Sequence, residues 1–429
     1  MKNIILLFLV LICSTTIVNS QIKFDDYFIN KTLRVDYVIA GDNKSENIYL
    51  KELKQEQNWG GSTVNLIDIF NFGNYKYEVY DVKSNTLIYS RGFNSLFQEW
   101  QSTDEAKTME RSFYQVNTMP FPKQEILFVV KKRTWEGEFQ KIFETSINPT
   151  NYFINKEESI SCKSTKIHGD KTSDKAVDIA FISEGYTIDE MDKFRNDVKR
   201  ISENIFSFAP FDELKEDFNI YAVESPSSES GVDIPGKGIY KNTATNFSFY
   251  TFDIERYLTT SDIKSLHDIA ANVPYDQIYV IINSKKYGGG GFYNYYSCTT
   301  SDHELTPTVA AHEFGHGFAG LADEYYSSNV AYNDFYNLKI EPWEPNITTL
   351  VKFEDKWKNM IQNSTPQPTP REQGFENTVG LYEGGGYLSK GIYSPQMDCM
   401  MKSNKPKKFC LVCQRAIKRM VNFTIGNTE

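Results

Sequence analysis

The chain has 429 residues, and acidic residues outnumber basic ones, with 56 Asp and Glu against 46 Lys and Arg. A formal net charge of −10 without an evident basic stripe argues against nucleic acid as a partner. The length predicts two domains, each large enough to bury its own hydrophobic core.

The first twenty residues have the pattern of a secretory signal peptide. Lys2 precedes an apolar run from Ile4 to Ile12, and a short polar stretch ends at Ser20. The run is too short to cross a bilayer, so we expect no integral membrane span. The large residue Ile12 before Cys13 argues against lipoprotein processing, which requires a small one. We therefore expect cleavage near Ser20 and a secreted, periplasmic or cell-surface protein.

The first half of the mature chain is strand-like. Apolar, β-branched and aromatic residues alternate or run together in three segments, at residues 33–38, 75–80 and 125–130. Helical periods are scarce, and a polar stretch after Ile147 separates this half from the second half of the chain. We predict a β-sandwich accessory domain over residues 21–155.

The second half mixes strands with helices. Buried strands are predicted at residues 177–182, 218–223 and 277–282. Thr187 and Glu190 form the pattern of a capping box, which predicts an amphipathic helix that continues to Phe206. Together these elements predict an α+β chain whose residues 156–429 form an α/β domain.

A pair of histidines near the middle of that domain has the spacing of a zinc site. His312 and His316 are four residues apart, so both imidazoles lie on one face of a helix and can reach one Zn²⁺ at about 2.0–2.1 Å. Glu313 points toward the same site without being a ligand. It is the predicted catalytic base, which takes a proton from water and later returns it to the leaving nitrogen.

The predicted ends of this helix indicate which residue is the third zinc ligand. Thr306 is the predicted N-cap before Pro307, and Gly320 is predicted to end the helix by turning the chain back toward the metal. Asp323 is then the preferred third ligand. Glu324 remains the alternative ligand, or Asp323 instead accepts a hydrogen bond from an imidazole N–H.

The downstream residues carry a second signal. Cys399-Met400-Met401 is followed by the pair Cys410 and Cys413. This part resembles a metzincin, in which a tight turn carrying methionine forms an apolar floor beneath the zinc. The resemblance assigns that position to Met401, with Met400 as the alternative. The sequence departs from the common metzincin pattern, because Gly320 and Asp323 each lie one residue late and the third ligand is an acid.

The resemblance can be narrowed to one family. Gly-Leu-Ala-Asp-Glu-Tyr at residues 320–325, the glycine run at 288–291 and the paired methionines are similar to the immunoglobulin-A-peptidase family of bacterial zinc metallopeptidases. The resemblance implies one catalytic Zn²⁺ in a zincin-like domain that follows a β-rich N-terminal domain. The segment from Ser90 to Ala106 looks like part of that β-rich domain.

Other residues are candidates for contacting the substrate. Gly289 and Gly290 either form a flexible turn or leave a sheet edge open, to which an extended peptide can bind. Tyr387 and Tyr393, ahead of the methionine turn, are candidates for donating a hydrogen bond to the developing oxyanion.

The cysteines leave several possibilities open. Five remain after signal cleavage, and an odd number leaves at least one thiol unpaired in a monomer. Cys399, Cys410 and Cys413 resemble the cysteine-rich metal site of archaeal-type metzincins, with Cys298 as the possible fourth ligand. Disulfides and buried thiols are the alternatives, and we do not favour a second, structural metal.

We therefore predict a secreted, monomeric zinc endopeptidase that acts on protein or peptide substrates. One alternative is a metal-containing protein that binds surface proteins or glycans without catalysis. Another is an amidase that acts on cell-wall peptide.

Overall fold

The computed structural model describes residues 22–326, 335–406 and 408–427. The predicted signal peptide lies outside these ranges. No helix within them is long and apolar enough to span a membrane.

The N-terminal part contains two antiparallel sheets and two short helices. Strands β1 (Phe28–Gly41), β2 (Glu46–Glu56) and β5 (Arg111–Pro122) form one sheet in the order β2-β1-β5. Strands β3 (Tyr75–Asp81), β4 (Thr86–Phe93), β6 (Ile126–Arg133) and β7 (Phe139–Ile147) form the other in the order β4-β3-β6-β7. The helices are α1 (Phe24–Tyr27) and α2 (Leu96–Gln101).

Both sheets contribute to one hydrophobic core, as in a β-sandwich. Val35 and Tyr37 of β1 are buried in the same cluster as Val79 of β3 and Phe128 of β6. Polar or part-exposed residues alternate with these buried ones along β3, which is the period of two that the sequence predicts.

A six-stranded mixed sheet forms the centre of the C-terminal part. Its strands are β8 (Lys163–His168), β9 (Val177–Glu184), β10 (Phe218–Glu224), β11 (Gln277–Ile282), β12 (Gly289–Phe292) and β13 (Tyr296–Thr300). Their order is β12-β13-β11-β9-β10-β8, and the four strands from β13 to β10 are parallel. Strands β14 (Tyr382–Gly385) and β15 (Leu388–Ser394) form a separate hairpin.

Helices cover both faces of this sheet. They are α3 (Met191–Phe206), α4 (Phe211–Leu214), α5 (Ile263–Ala270), α6 (Thr306–Ala319) and α7 (Leu411–Thr424). Ile179 and Phe181 of β9 pack in the core that contains α3, α6 and α7, whereas Ala180 and Ile182 pack in the core that contains α5. Because both faces are covered, every residue of β9 is buried. The prediction of buried strands at β9, β10 and β11 is confirmed.

The α+β fold class is confirmed as well. The capping box of Thr187 and Glu190 is present and starts a 3-10 turn that leads into α3. The segment between Ile147 and Lys163 contains the predicted domain boundary at residue 155.

A buried cluster of charges joins the two parts. Arg34 of β1 donates hydrogen bonds to Asp36 and, at 2.8 Å, to Oδ1 of Asp268 on α5. Lys54 Nζ lies 3.0 Å from the same Asp268 oxygen, and Glu56 Oε1 lies 3.5 Å from Arg34 Nη1. Arg34 is fully buried, so its ion pair with Asp268 is shielded from water. This ion pair connects β1 of the sandwich to α5 of the C-terminal part.

Candidate active site

Helix α6 carries both histidines and ends where the sequence predicts. Gly320 follows it with φ 64°, a left-handed conformation that glycine adopts without strain. The predicted N-cap is wrong by one residue, because Leu305 caps the helix and Thr306 is already helical. The Thr306 hydroxyl instead donates to the Thr300 carbonyl at the end of β13, which ties the helix start to the sheet.

The structure brings His312, His316 and Asp323 together. The two Nε2 atoms are 3.0 Å apart. Asp323 Oδ1 lies 3.1 Å from Nε2 of His312 and 3.3 Å from Nε2 of His316. The turn at Gly320 therefore returns the chain so that one carboxylate oxygen faces both imidazoles.

These three atoms fit a tetrahedral zinc site. Ligands about 2.0–2.1 Å from a metal at the centre of a tetrahedron are roughly 3.3 Å from each other. Asp323 is 7% exposed, and its Oδ1 has no hydrogen-bond partner among the described residues. A buried carboxylate oxygen without a partner is costly, and a bound cation would satisfy it.

The other imidazole nitrogens are held by backbone carbonyls. Nδ1 of His312 lies 3.0 Å from the Met400 carbonyl oxygen, and Nδ1 of His316 lies 2.5 Å from that of Leu321. Carbonyls only accept hydrogen bonds, so each Nδ1 carries the proton. Each Nε2 then presents a lone pair toward the site, as a metal ligand requires.

Glu324 points away from the histidines. Its Oε1 accepts a hydrogen bond from the Asn346 side chain at 3.0 Å and lies 3.4 Å from Cys413 Sγ. Its backbone N–H donates to the Met401 carbonyl at 2.8 Å. This placement favours Asp323 over Glu324 as the third metal ligand.

Glu313 lies beside the two imidazoles and the glycine strand. One of its carboxylate oxygens lies within 4.8 Å of a ring nitrogen of His312 and of His316, farther than Asp323 Oδ1. Burial is the largest influence on the Glu313 carboxyl and raises its pKa above the ordinary value, while the imidazoles act in the opposite direction. A raised pKa favours uptake of a proton, which is the task of a general base.

Met401 packs against the histidine helix. A side-chain carbon at Gly315, between the two histidines, would lie 3.1 Å from the Met401 sulfur. Met401 is fully buried, and the preceding Met400 provides the carbonyl that contacts His312. The methionine segment thus contacts both the face of α6 and one imidazole.

The two tyrosines proposed as oxyanion donors lie in different places. Tyr387 lines the cleft, and its hydroxyl donates to Asp323 Oδ2 at 2.6 Å. Tyr393 lies on β15, where its backbone pairs with Thr348, and it does not line the cleft. The contact of Tyr387 indicates a role in holding Asp323, and nothing in the placement of Tyr393 supports a role at the oxyanion.

The glycine run is a strand rather than a flexible turn. β12 is the outermost strand of the six-stranded sheet, and Tyr257 makes one isolated bridge to Gly289 on its outer side. A side-chain carbon at Gly289 would lie 2.9 Å from Glu313 Oε1, and one at Gly291 would overlap the Glu313 backbone. Gly290 also lines the cleft. Glycine is therefore required where β12 approaches α6.

The cleft over these residues has a volume of about 400 Å³, and the N-terminal part contributes Asn94 and Glu99 to its wall. Among the polar residues of this wall that the sequence did not single out as site residues are Glu99, Arg256 and Tyr325. Tyr325 directly follows Asp323 and Glu324 in the sequence. This closeness to a predicted metal ligand could have marked it as a residue of the active site. Burial raises the Tyr325 pKa well above its ordinary value, so its hydroxyl keeps the proton it would donate.

Comparison with known families gives two matches. The family described as IgA Peptidase M64 matches residues 166–377 and 371–421, and the one described as Peptidase M64 N-terminus matches residues 23–144. No curated protein matches the chain significantly. The first match spans more than half of the chain and includes both histidines, Asp323 and Met401.

Proposed function

This chain belongs to the IgA peptidase M64 family and is a peptidase, and from that premise we propose that it is a zinc-dependent endopeptidase. His312, His316 and Asp323 would hold the zinc, and Glu313 would be the catalytic base. The observation that carries the proposal is the mutual distance of 3.0–3.3 Å among the three ligand atoms. Zinc bound there would polarise the scissile carbonyl and lower the pKa of a water molecule.

The protein side chains would perform the remaining steps. Glu313 would accept the proton of the attacking water at a carboxylate oxygen and donate it to the leaving nitrogen. Tyr387 would keep Asp323 oriented through its hydrogen bond to Oδ2. Tyr325, which lines the cleft, would donate a hydrogen bond to the oxygen of the scissile carbonyl as negative charge develops there.

The substrate we propose is an extended segment of a protein or peptide outside the cytoplasm. The cleft lies along the outermost strand β12, where backbone hydrogen bonds can add a strand to the sheet. The signal-like first twenty residues support export. Sites within a folded or glycosylated protein would need an exposed, extended loop to enter this cleft.

The test uses the mature chain, residues 21–429, with a peptide library derived from a whole proteome. Mass spectrometry of new peptide termini would identify cleaved bonds, with and without a zinc chelator. We expect internal cleavage that stops with the chelator and returns with added zinc. Cleavage that a chelator leaves unchanged would contradict the zinc mechanism. Release of peptide from cell walls without cleavage of any library peptide would favour an amidase instead.

A further inference from the structure

A second cluster of metal-ligating side chains lies behind Asp323. Glu324, Cys399, Cys410 and Cys413 each place a carboxylate oxygen or a sulfur so that all four atoms lie within 4.8 Å of one another. All four residues are buried, and none of the three cysteines forms a disulfide. The peptidase reaction proposed above uses none of these groups.

The distances within the cluster match a metal site better than a disulfide. Cys399 Sγ and Cys413 Sγ are 3.8 Å apart, whereas bonded sulfurs are about 2.05 Å apart. Two thiolates on one tetrahedral zinc, each about 2.3 Å from the metal, lie roughly 3.8 Å from each other. Glu324 Oε1 lies 3.4 Å from Cys413 Sγ, close to the roughly 3.6 Å expected for an oxygen and a sulfur on the same zinc.

Glu324 carries an unsatisfied atom at this place. The side chain is fully buried, and its Oε2 makes no hydrogen bond to any residue that the structure describes. The other oxygen is engaged by Asn346 and by Cys413. The nearby cation Lys402 donates to the Glu324 backbone carbonyl at 2.7 Å rather than to Oε2, so this carboxylate oxygen stays without a partner among the described residues, which is costly in a buried position. A bound cation would provide that partner.

Backbone N–H groups donate to two of the three sulfurs. The N–H of Cys410 donates to Cys399 Sγ at 3.2 Å, and the N–H of Cys413 donates to Cys410 Sγ at 3.4 Å. Cys410 is the N-cap of α7, a helix of 14 residues whose positive end faces the sulfurs. Such N–H donors support the thiolate form of cysteine, which is the form that binds zinc.

We propose that Glu324, Cys399, Cys410 and Cys413 bind a structural zinc ion that is separate from the catalytic one. Three thiolates select a thiophilic ion, and four buried protein ligands leave no position for water or substrate. This proposal departs from the sequence-based expectation, which did not favour a second, structural metal. Cys298 is not the fourth ligand, because it lies in the other core and its Sγ donates to the Leu258 carbonyl.

The proposed ion lies between two segments that also contact ligands of the active site. Its ligand Cys399 immediately precedes Met400, whose carbonyl contacts His312. Its ligand Glu324 immediately follows Asp323 and donates its N–H to Met401. The ion would therefore fix the two segments that orient two ligands of the active site, without contact to substrate.

The first experiment separates the two sites by mutation. In the double variant His312→Ala, His316→Ala, metal analysis by mass spectrometry should still find one zinc per chain, against two in the wild type. Adding Cys413→Ser should remove the remaining zinc, whereas adding Cys298→Ser, an equally buried cysteine outside the cluster, should not. A folded double variant without metal, or one that holds iron or copper, would overturn the proposal.

X-ray absorption at the zinc edge provides a test that needs no cysteine variant. The double variant should show a shell of about three sulfurs at about 2.3 Å and one lighter atom. A shell of nitrogen and oxygen alone, or an intact disulfide among these cysteines in peptide mapping, would reject the site. Sulfur ligation in a protein that cleaves nothing would support this site while contradicting the proposed peptidase mechanism.

Discussion

Asp323 and Glu324 are consecutive residues whose carboxylates face two different clusters. Asp323 Oδ1 lies 3.1 Å from His312 Nε2, and Glu324 Oε1 lies 3.4 Å from Cys413 Sγ. Both side chains are buried, and each has one oxygen without a hydrogen-bond partner among the described residues. One short segment thus supplies an acid to the histidine cluster and another to the cysteine cluster.

Substitution of these two acids should separate the clusters. In the cobalt-substituted protein, Asp323→Asn should keep the thiolate-to-cobalt absorption band but lose activity by at least about a hundredfold, as weakened metal sites do. Glu324→Gln should weaken that band, because one ligand of the cysteine site is lost. A loss of activity without any spectral difference between the two variants would contradict the assignment.

Glu313→Gln should abolish proton transfer while leaving the ligands in place. We expect kcat to fall by about 10²–10⁴-fold, the usual contribution of a general base, with unchanged zinc content. Glu304→Gln is the matched control, because Glu304 is exposed and lies before the start of α6. Steady-state cleavage of a library-derived peptide provides the measurement, and equal rates in the two variants would exclude Glu313 as the base.

Tyr387→Phe should weaken zinc binding through Asp323. The change removes the 2.6 Å hydrogen bond to Oδ2, and such supporting contacts are typically worth about 10–100-fold in metal affinity. Competition with a chromogenic chelator measures this affinity. Tyr393→Phe, on β15 outside the cleft, should leave it unchanged. If Tyr393→Phe weakened zinc binding and Tyr387→Phe did not, Tyr393 rather than Tyr387 would be the tyrosine that supports the metal site.

Gly289→Ala should impair catalysis without removing zinc. The added carbon would lie 2.9 Å from Glu313 Oε1, so the carboxylate must move. Misplacement by about 1 Å costs roughly a hundredfold in rate, and we expect kcat/KM to fall by about that factor. Gly290→Ala meets the Leu258 carbonyl at 3.1 Å instead, so its effect should appear in thermal stability more than in kcat.

The buried charge cluster should make stability depend on pH in two opposite ways. Burial raises the pKa of Glu56 to about 7 from an ordinary 4.5, even though Arg34 opposes the shift. The folded state therefore loses stability as pH rises from about 4.5 to 7, and Glu56→Gln should flatten this loss. Urea unfolding at a series of pH values measures it, and an unchanged slope in the variant would contradict the prediction.

The contribution of Asp268 to stability should change with pH in the opposite direction from that of Glu56. Burial acts to raise its pKa, but Arg34, Lys264 and Lys54 outweigh burial and lower the pKa to about 2 from an ordinary 3.8. Its contribution to stability is present above pH 3.8 and is lost as pH falls toward 2. Asp268→Asn should lower stability at neutral pH and should remove the loss of stability between pH 3.8 and about 2. The same series of urea unfolding measurements checks this.

Local features of this protein are determined by the order of amino acids alone. The four-residue spacing of His312 and His316 puts both rings on one helix face wherever the helix lies, and Gly320 ends that helix by its own conformational freedom. Strands β9, β10 and β11 were also predictable from local sequence, since short segments made mostly of apolar residues on both faces are typical of strands buried on both sides of a sheet.

Contacts between distant segments were decided by the tertiary structure. Whether Asp323 or Glu324 faces the histidines depends on how the chain after Gly320 packs against Met401 and Cys413, which lie far away in sequence. The contrast between Tyr387 and Tyr393 depends likewise on the pairing of the β14–β15 hairpin. Spacing along a chain specifies geometry only within one regular element, and the approach of separate elements is set by the packing of the whole core.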